Sequence, residues 1–221
     1  LGLTAMVAAP AASAITLMSE TFTYPNGALT TQSGPNWTPH SGAASVPVQV
    51  TGNVAVVVQG AGSREDVNHA FAAQTATSTT FACFQVTVPN PGAAVTTGYF
   101  AHFKDAGTIN FAGRVFVVAS GGTFTFALSA TSGTPTTTWP NTLNYGQQYT
   151  VAVSYDAAAG SSQLWVDPVT SGSPSISAGG GATGTVVSAF ALRQTTGNTQ
   201  QQIDNIQVGT GFDDTGPQPA P

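Results

Sequence analysis

Short runs in which large apolar residues alternate with small or polar ones dominate this sequence, and this pattern predicts β-strands. In Tyr149–Asp156, for example, Tyr and Val alternate with Thr, Ala and Ser. A period of two gives a strand one packed face and one wetter face. Clusters of Gly, Pro, Asn and Ser separate the runs, as is typical of turns. The pattern predicts twelve strands: Thr16–Tyr24, Val46–Val50, Val54–Gln59, Val67–Ala73, Thr79–Val88, Tyr99–Lys104, Arg114–Ala119, Thr123–Ser129, Gln148–Asp156, Ser162–Val166, Val186–Gln194 and Gln202–Val208.

About a dozen short strands in one chain predict an all-β fold, a two-sheet antiparallel β-sandwich or jelly roll. No helix of ten or more residues is expected, and only Arg64–Ala73 is ambiguous. The sequence shows no internal repeat and no change of composition that marks a domain boundary. We therefore predict one sandwich domain over residues 15–212, with an apolar segment at 1–14 before it and a Pro-rich tail at 213–221 after it.

The apolar segment at residues 1–14 has two interpretations. It ends in Ala12-Ser13-Ala14, the small-x-small form that signal peptidase reads, which favours a secretory signal and a secreted protein at the cell surface. Alternatively, the segment is retained and pairs with a sheet edge in its own or a neighbouring subunit.

The charge, the apolar runs and the cysteine content each exclude a class of partner or structure. The 221 residues include only 4 Lys and Arg against 9 Asp and Glu, a net charge of −5, which excludes nucleic acid and anionic membranes as main partners. No run of 18 apolar residues is present, so no transmembrane helix is expected. Cys83, the single cysteine, excludes an intrachain disulfide, and its apolar surroundings predict a small buried side chain.

Two segments carry a resemblance to a known fold family. Tyr149-Thr-Val-Ala-Val-Ser-Tyr-Asp156, followed by a Gly turn and Gln163-Leu-Trp-Val-Asp-Pro168, resembles a strand–turn–strand unit of laminin-G-like and concanavalin-A-like jelly rolls. Ala189–Gln194 and Gln202-Ile-Asp-Asn-Ile-Gln-Val-Gly209 are similar to the closing strands of that group, as found in secreted bacterial proteins. The resemblance implies a jelly-roll fold and says little of function, because this sandwich serves lectins, hydrolases, adhesion modules and spacers.

The resemblance also implies a structural calcium site. Many jelly rolls of this group join the first strand to the last through a cation held by carboxylate and backbone oxygens. Glu20 and Asp204 fall where those ligands would lie, and Asn205 would assist them.

No catalytic constellation is predicted. Glycoside hydrolysis needs two opposed carboxylates, and the E-x-D-x-x-E motif of the sandwich hydrolases is absent. Glu65 and Asp66 are adjacent, so a strand points them to opposite faces. The histidines His40, His69 and His102 are scattered along the sequence. We therefore expect a protein that is not an enzyme.

A polar cluster on the concave sheet is the candidate ligand site. His102 and Lys104 flank Phe103 and share one strand face, and Arg114 and Arg193 lie in neighbouring runs, with Glu65 and Asp66 as partners. One interpretation is a sugar or peptide site, with the loop residue Trp139 stacking on a ring. The other is an internal ion network that fixes the strand register. Trp165, inside a strand, is expected in the core.

These observations leave several functions open. The leading hypothesis is a non-catalytic extracellular structural or adhesive module that self-assembles into a filament, sheath or surface layer through its apolar N-terminal segment. A low surface charge favours such homo-oligomers or polymers, because few charges keep neighbouring copies apart. The alternatives are a carbohydrate-binding domain with a glycan partner, a degenerate hydrolase, and a viral coat protein.

Overall fold

Two antiparallel β-sheets stack face to face in the computed structural model, which describes residues 15–43, 45–92 and 98–215. The described residues form sixteen strands, one short helix and a 3₁₀ turn. The strands are β1 (Thr16–Glu20), β2 (Gly27–Ala28), β3 (Trp37–Ser41), β4 (Gln49–Thr51), β5 (Val54–Val58), β6 (Asp66–Ala70), β7 (Thr79–Thr87), β8 (Tyr99–Lys104), β9 (Phe111–Ser120), β10 (Thr123–Ser129), β11 (Thr137–Thr138), β12 (Gln148–Asp156), β13 (Ser161–Val166), β14 (Ile176–Ala178), β15 (Ala189–Leu192) and β16 (Gln200–Gly209), with helix α1 at Leu29–Gln32 and the 3₁₀ turn at Asp213–Thr215.

The strand order confirms the predicted sandwich. The nine-stranded sheet runs β14-β13-β12-β7-β16-β5-β4-β2, with β1 also paired to β16. The seven-stranded sheet runs β11-β10-β9-β8-β15-β6-β3. Strands distant in sequence become neighbours, so β15 lies between β8 and β6. This arrangement brings side chains from five separate segments onto one face of the seven-stranded sheet.

The core between the sheets is built from the inward residues of the alternating runs. In β8, Phe100 and Phe103 are fully buried against Phe190 of β15 and Phe84 of β7. Burying one large apolar side chain contributes about 1.5–3 kcal/mol. The period of two read from the sequence decides most core positions, whereas the irregular register of β8 with β9 lets Phe100 and Phe103, three residues apart, both face the core.

All twelve predicted strands overlap a strand of the structure, with ends that differ by up to four residues, and the ambiguous Arg64–Ala73 contains β6. The sequence pattern missed the short strands β2, β11 and β14 and the longer β3. The sequence pattern does not reveal β3, because Trp37-Thr38-Pro39-His40-Ser41 contains a proline and does not alternate apolar with polar residues. It lies at the edge of its sheet, the position that tolerates proline.

Both ends of the described chain are held by the nine-stranded sheet. Ile15 exchanges hydrogen bonds with Thr210, and β1 pairs with β16 of the same chain. Residues 1–14 and the rest of the tail, 216–221, lie outside the described residues. Self-assembly through the N-terminal segment therefore stays a prediction.

The outer face of the nine-stranded sheet carries a small apolar cluster. It contains Cys83, Ala152 and Trp165, with Phe81 at its margin and Phe212 from the segment after β16. Cys83 is buried, which confirms the prediction of a small buried side chain, and this burial raises the pKa of its thiol to about 12. In the described parts of the chain, no helix has the length and apolar character needed to cross a membrane.

Candidate functional site

The outer face of the seven-stranded sheet, the face turned away from the core, carries a cluster of basic and aromatic side chains. Along β8, Tyr99, His102 and Lys104 lie on this face because Phe100 and Phe103 take the core positions. Along β9, Gly113 has a φ of +59° and the register with β8 shifts nearby. This irregularity places both Phe111 and Arg114 on the outer face, although they are three residues apart.

Tyr99 is the centre of this cluster. The guanidinium carbon of Arg114 lies 4.8 Å from the centroid of the Tyr99 ring, and that of Arg193 lies 4.2 Å from it. Phe116 packs edge-on against the same ring at 5.5 Å. Two cations thus share one aromatic ring, and cation–π attraction offsets part of the repulsion between them.

His102 and His40 form a pair beside this ring. Their ring centroids are 5.8 Å apart, and His102 also lies 4.5 Å from Phe111 and 5.3 Å from Tyr99. His102 is fully buried, and neither histidine has a hydrogen-bond partner for either ring nitrogen within the described residues. Burial, followed by the charges of Lys104 and Arg193, lowers the pKa of His40 to about 4. Burial also lowers the pKa of His102, so both rings are neutral at physiological pH.

Asp66, the first residue of β6, and Glu65, just before it, have different partners, as the sequence predicted. The Asp66 carboxylate accepts a hydrogen bond from the backbone N–H of Gln194 at 2.8 Å and lies 3.8 Å from the Nε of Arg193. Glu65 instead accepts a hydrogen bond from the hydroxyl of Thr30, at 3.2 Å. Burial raises the pKa of Asp66 to about 6 although Gln194 and Arg193 oppose it. Asp66 therefore joins the basic cluster, and Glu65 does not.

A cavity of about 530 Å³ lies on the same face beside Lys104. Strands β3 and β6 supply His40, Asn68 and Ala70 to its wall, and the loop after β8 supplies Asp105 and its neighbours. The Lys104 ammonium donates to the backbone carbonyl of Asp105 at 2.8 Å, its one hydrogen bond to described residues. Lys104 is 3% exposed, and two of its three donors have no partner among the described residues.

A smaller cavity of about 110 Å³ lies on the other side of that loop. Arg114, Phe111 and Thr131 contribute to its wall. Phe111 is 5.8 Å from His40, which lines the larger cavity, and 5.4 Å from the Arg114 guanidinium. The two cavities are thus neighbours along one basic surface, with Phe111 between them.

Four of the five predicted ligand residues, His102, Lys104, Arg114 and Arg193, come together on this face. His102 and Lys104 are buried, and Lys104, Arg114 and Arg193 carry the positive charge of the cluster. Trp139 was predicted to be exposed, and this prediction is wrong. Its backbone N–H donates to the carbonyl of Phe126 and its side chain is 8% exposed in the main core, because the loop folds back over β10.

Sequence reasoning missed Tyr99 and His40 as members of the site. Tyr99 was read as an ordinary strand residue. His40 lies in the unrecognised strand β3. The period of two within Tyr99–Lys104 places Tyr99 on the face of Phe103, and only the irregular register between β8 and β9 brings it beside His102, so the sequence held no signal for either residue.

The predicted calcium ligands are arranged differently from a calcium shell. Both carboxylate oxygens of Glu20 are used, since they accept hydrogen bonds from the Phe22 N–H at 2.6 Å, the Tyr24 hydroxyl at 2.8 Å and the Trp37 indole N–H at 2.9 Å. A cation on Glu20 would displace the buried N–H groups of Phe22 and Trp37.

Asp204 and Asn205 lie in the same region as Glu20. The charge of Glu20, after burial, helps to raise the pKa of Asp204. Asp204 accepts the N–H of Asn205 at 2.7 Å. The described residues contain no group of three or more His, Cys, Asp or Glu side chains placed to hold a metal. These residues do not fit the six to eight oxygen ligands of Ca²⁺, and Glu20 serves instead to anchor the turn after β1 to β3.

Comparisons with known proteins agree on the fold. No protein-family model matches this sequence, and no curated protein matches it. Among solved structures, lectin II from Ulex europaeus superposes with a TM-score of 0.55 at 12% identity, covering 90% of this chain and 99% of the lectin. A sialidase gives 0.54 at 13% identity over 89% of this chain, which spans 19% of the sialidase's length. The exoplasmic/lumenal domain of VIP36, in a form bound to Ca²⁺ and Man, gives 0.52 at 12% identity, covering 88% and 90% of the two chains.

These similarities establish the concanavalin-A-like jelly roll, as the sequence predicted. They include lectins and an enzyme, and at such low identity they define the fold alone. The function of this chain must therefore be argued from its own side chains.

Proposed function

We propose that this chain is a carbohydrate-binding domain that holds its ligand on the outer face of the seven-stranded sheet. The observation that carries the proposal is the convergence of Lys104, Arg114 and Arg193 on one face. With them lie two neutral histidines and a cavity of about 530 Å³. Ligand pockets commonly have volumes of about 300–1,000 Å³ and a few converging polar groups.

The chemistry of the larger cavity suits sugar hydroxyl groups. The Lys104 ammonium offers unused donors, and Asn68, which gives one N–H to the Thr38 hydroxyl at 3.3 Å, offers its carbonyl oxygen as an acceptor. Ala70 and Ala189 supply small apolar surface between these groups. Lectins among the structural neighbours show that the fold supports such binding elsewhere, and we place this domain outside the cell, as its N-terminal segment suggests.

We propose binding without cleavage of the sugar. Asp105 lines the cavity, but its oxygens accept hydrogen bonds from the Gly107 N–H at 2.8 Å and the Asn110 amide at 2.7 Å. Asp66 is held by Gln194, and His102 is enclosed by aromatic rings. These acid and base groups are committed to partners in the fold or shielded from a substrate, which does not favour general acid–base chemistry.

A cavity-filling substitution tests the location of the site. Ala70 is exposed at the end of β6 and lines the larger cavity, so Ala70→Trp should fill it without disturbing the core. Gln163→Trp places the same ring at an exposed position of β13 in the other sheet and is the matched control.

The binding measurement is isothermal titration calorimetry against neutral and charged polysaccharides. The wild type and Gln163→Trp should bind with equal affinity, and Ala70→Trp should bind at least tenfold more weakly. A wild type that binds none of them, or an Ala70→Trp variant that binds normally, contradicts the proposal. New reducing ends or unsaturated products after incubation would contradict its non-catalytic part.

A further inference from the structure

The charge on this face identifies the class of sugar. We infer that the ligand is an acidic polysaccharide. Its carboxylate groups bind the guanidinium groups of Arg114 and Arg193 and the ammonium group of Lys104. This inference rests on the proposed carbohydrate-binding function.

The first argument is the distribution of charge. The whole chain carries 9 acidic residues against 4 Lys and Arg. Three of those four cations nevertheless lie on one sheet face, together with the carboxylates of Asp66, 3.8 Å from Arg193, and of Asp105, next to Lys104, so the cluster carries one more positive than negative charge. Arg64, the fourth cation, lies against Gly60 instead. A net acidic protein thus presents a locally basic surface, which attracts an anionic ligand and disfavours non-specific anion binding elsewhere.

The second argument is that the guanidinium donors are unused. Each guanidinium has five N–H donors, and a cation–π contact consumes none of them. The distance of 3.8 Å between Arg193 and Asp66 exceeds a hydrogen bond, and the buried Nε–H of Arg114 has no hydrogen-bond partner among the described residues. A carboxylate accepts two parallel N–H bonds from such a fork, so it matches what Arg114 and Arg193 offer.

The third argument is that the positive charges on this face repel one another. Besides burial, the charge of Arg193 lowers the pKa of Arg114, and the charges of Lys104 and Arg193 lower the pKa of His40. A bound anion would relieve this repulsion, whereas a neutral sugar would not. The same geometry therefore predicts that ligand binding raises the pKa of His40.

The fourth argument concerns neutral sugars, which proteins often bind by stacking them on an exposed tryptophan. The three tryptophans of this chain are all in the described residues and all buried. Trp37, Trp139 and Trp165 are 0%, 8% and 3% exposed. This face therefore has charged side chains but no exposed indole ring on which a neutral sugar could stack.

Placing cations beside both cavities favours a polymer over a single sugar. Lys104 lines the larger cavity and Arg114 the smaller one, on opposite sides of the loop that follows β8. A chain of uronic acid residues carries one carboxylate per sugar, so one such chain has carboxylates for both cations. The two contacts then both add to the affinity for one ligand.

The experiment compares one polymer in two charge states. Polygalacturonate, the same polymer after reduction of its carboxyl groups, and dextran sulfate are titrated into the wild-type protein at two salt concentrations. We expect polygalacturonate to bind at least tenfold more tightly than either of the others, and its affinity to fall as salt rises.

Each other outcome is decisive. Equal binding of the native and the reduced polymer overturns this inference and leaves the proposed function standing. Binding of neither, with no other sugar bound, overturns both. Dextran sulfate binding as tightly as polygalacturonate overturns the assignment of carboxylate groups.

Variants then test the named residues. Arg114→Gln should weaken polygalacturonate binding at least tenfold. Arg114→Lys should recover part of the lost affinity, because lysine keeps the positive charge but lacks the two parallel N–H donors of the guanidinium. Arg64→Gln removes the same charge outside the cluster and should bind normally. Circular dichroism checks that each variant is folded, and Arg114→Gln with unchanged affinity would refute the role of Arg114.

Discussion

Acid should weaken this fold through His40. The histidine lies against His102 and Phe111, with Lys104 and Arg193 as the nearby charges, and these surroundings lower its pKa to about 4 from its ordinary value of 6.5. Because the unfolded chain binds the proton more readily, stability is fully present above pH 6.5 and is lost as the pH falls toward 4.

The size of this effect follows from the two pKa values. Each unit of pH between them costs about 1.4 kcal/mol, so His40 alone should remove about 2 kcal/mol of stability between pH 7 and pH 5. Asp66 acts in the opposite direction. Burial raises its pKa to about 6, so it gains stability as the pH falls below that value. The pKa of His102 is lowered as well, so the wild-type pH profile mixes the contributions of all three groups, and a variant is needed to isolate that of His40.

The variant His40→Gln removes the titrating group and keeps a polar side chain of similar length. Urea unfolding followed by tryptophan fluorescence gives the free energy of unfolding of both proteins at pH 5, 6, 7 and 8. The difference between them should shift by about 2 kcal/mol in favour of the variant from pH 7 to pH 5 and stay constant from pH 8 to pH 7. A difference that does not change with pH would refute the burial of His40 beside the cations.

Three further predictions concern the hydrogen bonds of Glu20, the effect of calcium on stability and the burial of Cys83. Glu20→Ala should cost about 3 kcal/mol in urea unfolding, because it strips the buried Phe22 N–H and Trp37 indole N–H of their acceptor; a loss below about 1 kcal/mol would contradict these hydrogen bonds. The melting temperature in calorimetry should be the same in excess CaCl₂ and in EDTA, since Glu20 is already bonded to protein donors; a rise with calcium would restore the calcium prediction. Cys83 should react with a chromogenic disulfide reagent only after unfolding, because it is buried and its pKa is raised to about 12; rapid labelling of the native protein would contradict its placement.

Local pattern predicted the strands because each strand's alternation is set by its own residues. The shared face of His102 and Lys104 followed from the period of two around Phe103, and the divergence of Glu65 and Asp66 followed from the same rule. These predictions succeeded because they needed no knowledge of which strands are neighbours.

The rest of the site depends on contacts between distant segments. Tyr99 meets Arg193 because β15 pairs with β8, and no sequence pattern specifies that pairing. Arg114 reaches the same ring through the irregular register near Gly113. Trp139 was placed correctly in a connecting segment, but its exposure depends on how that segment folds back onto β10, which only the tertiary structure shows.

Chemical-shift mapping tests the central claim most directly. ¹⁵N-labelled protein is titrated with a short oligogalacturonate, and perturbations are followed for residues of both sheets. The account predicts shifts on the outer face of the seven-stranded sheet, at His40, Asn68, Lys104 and Arg114, with the indole signal of Trp165 on the other sheet unchanged. Shifts centred on Trp165 and Phe212, or no shifts at any ligand concentration, would contradict it.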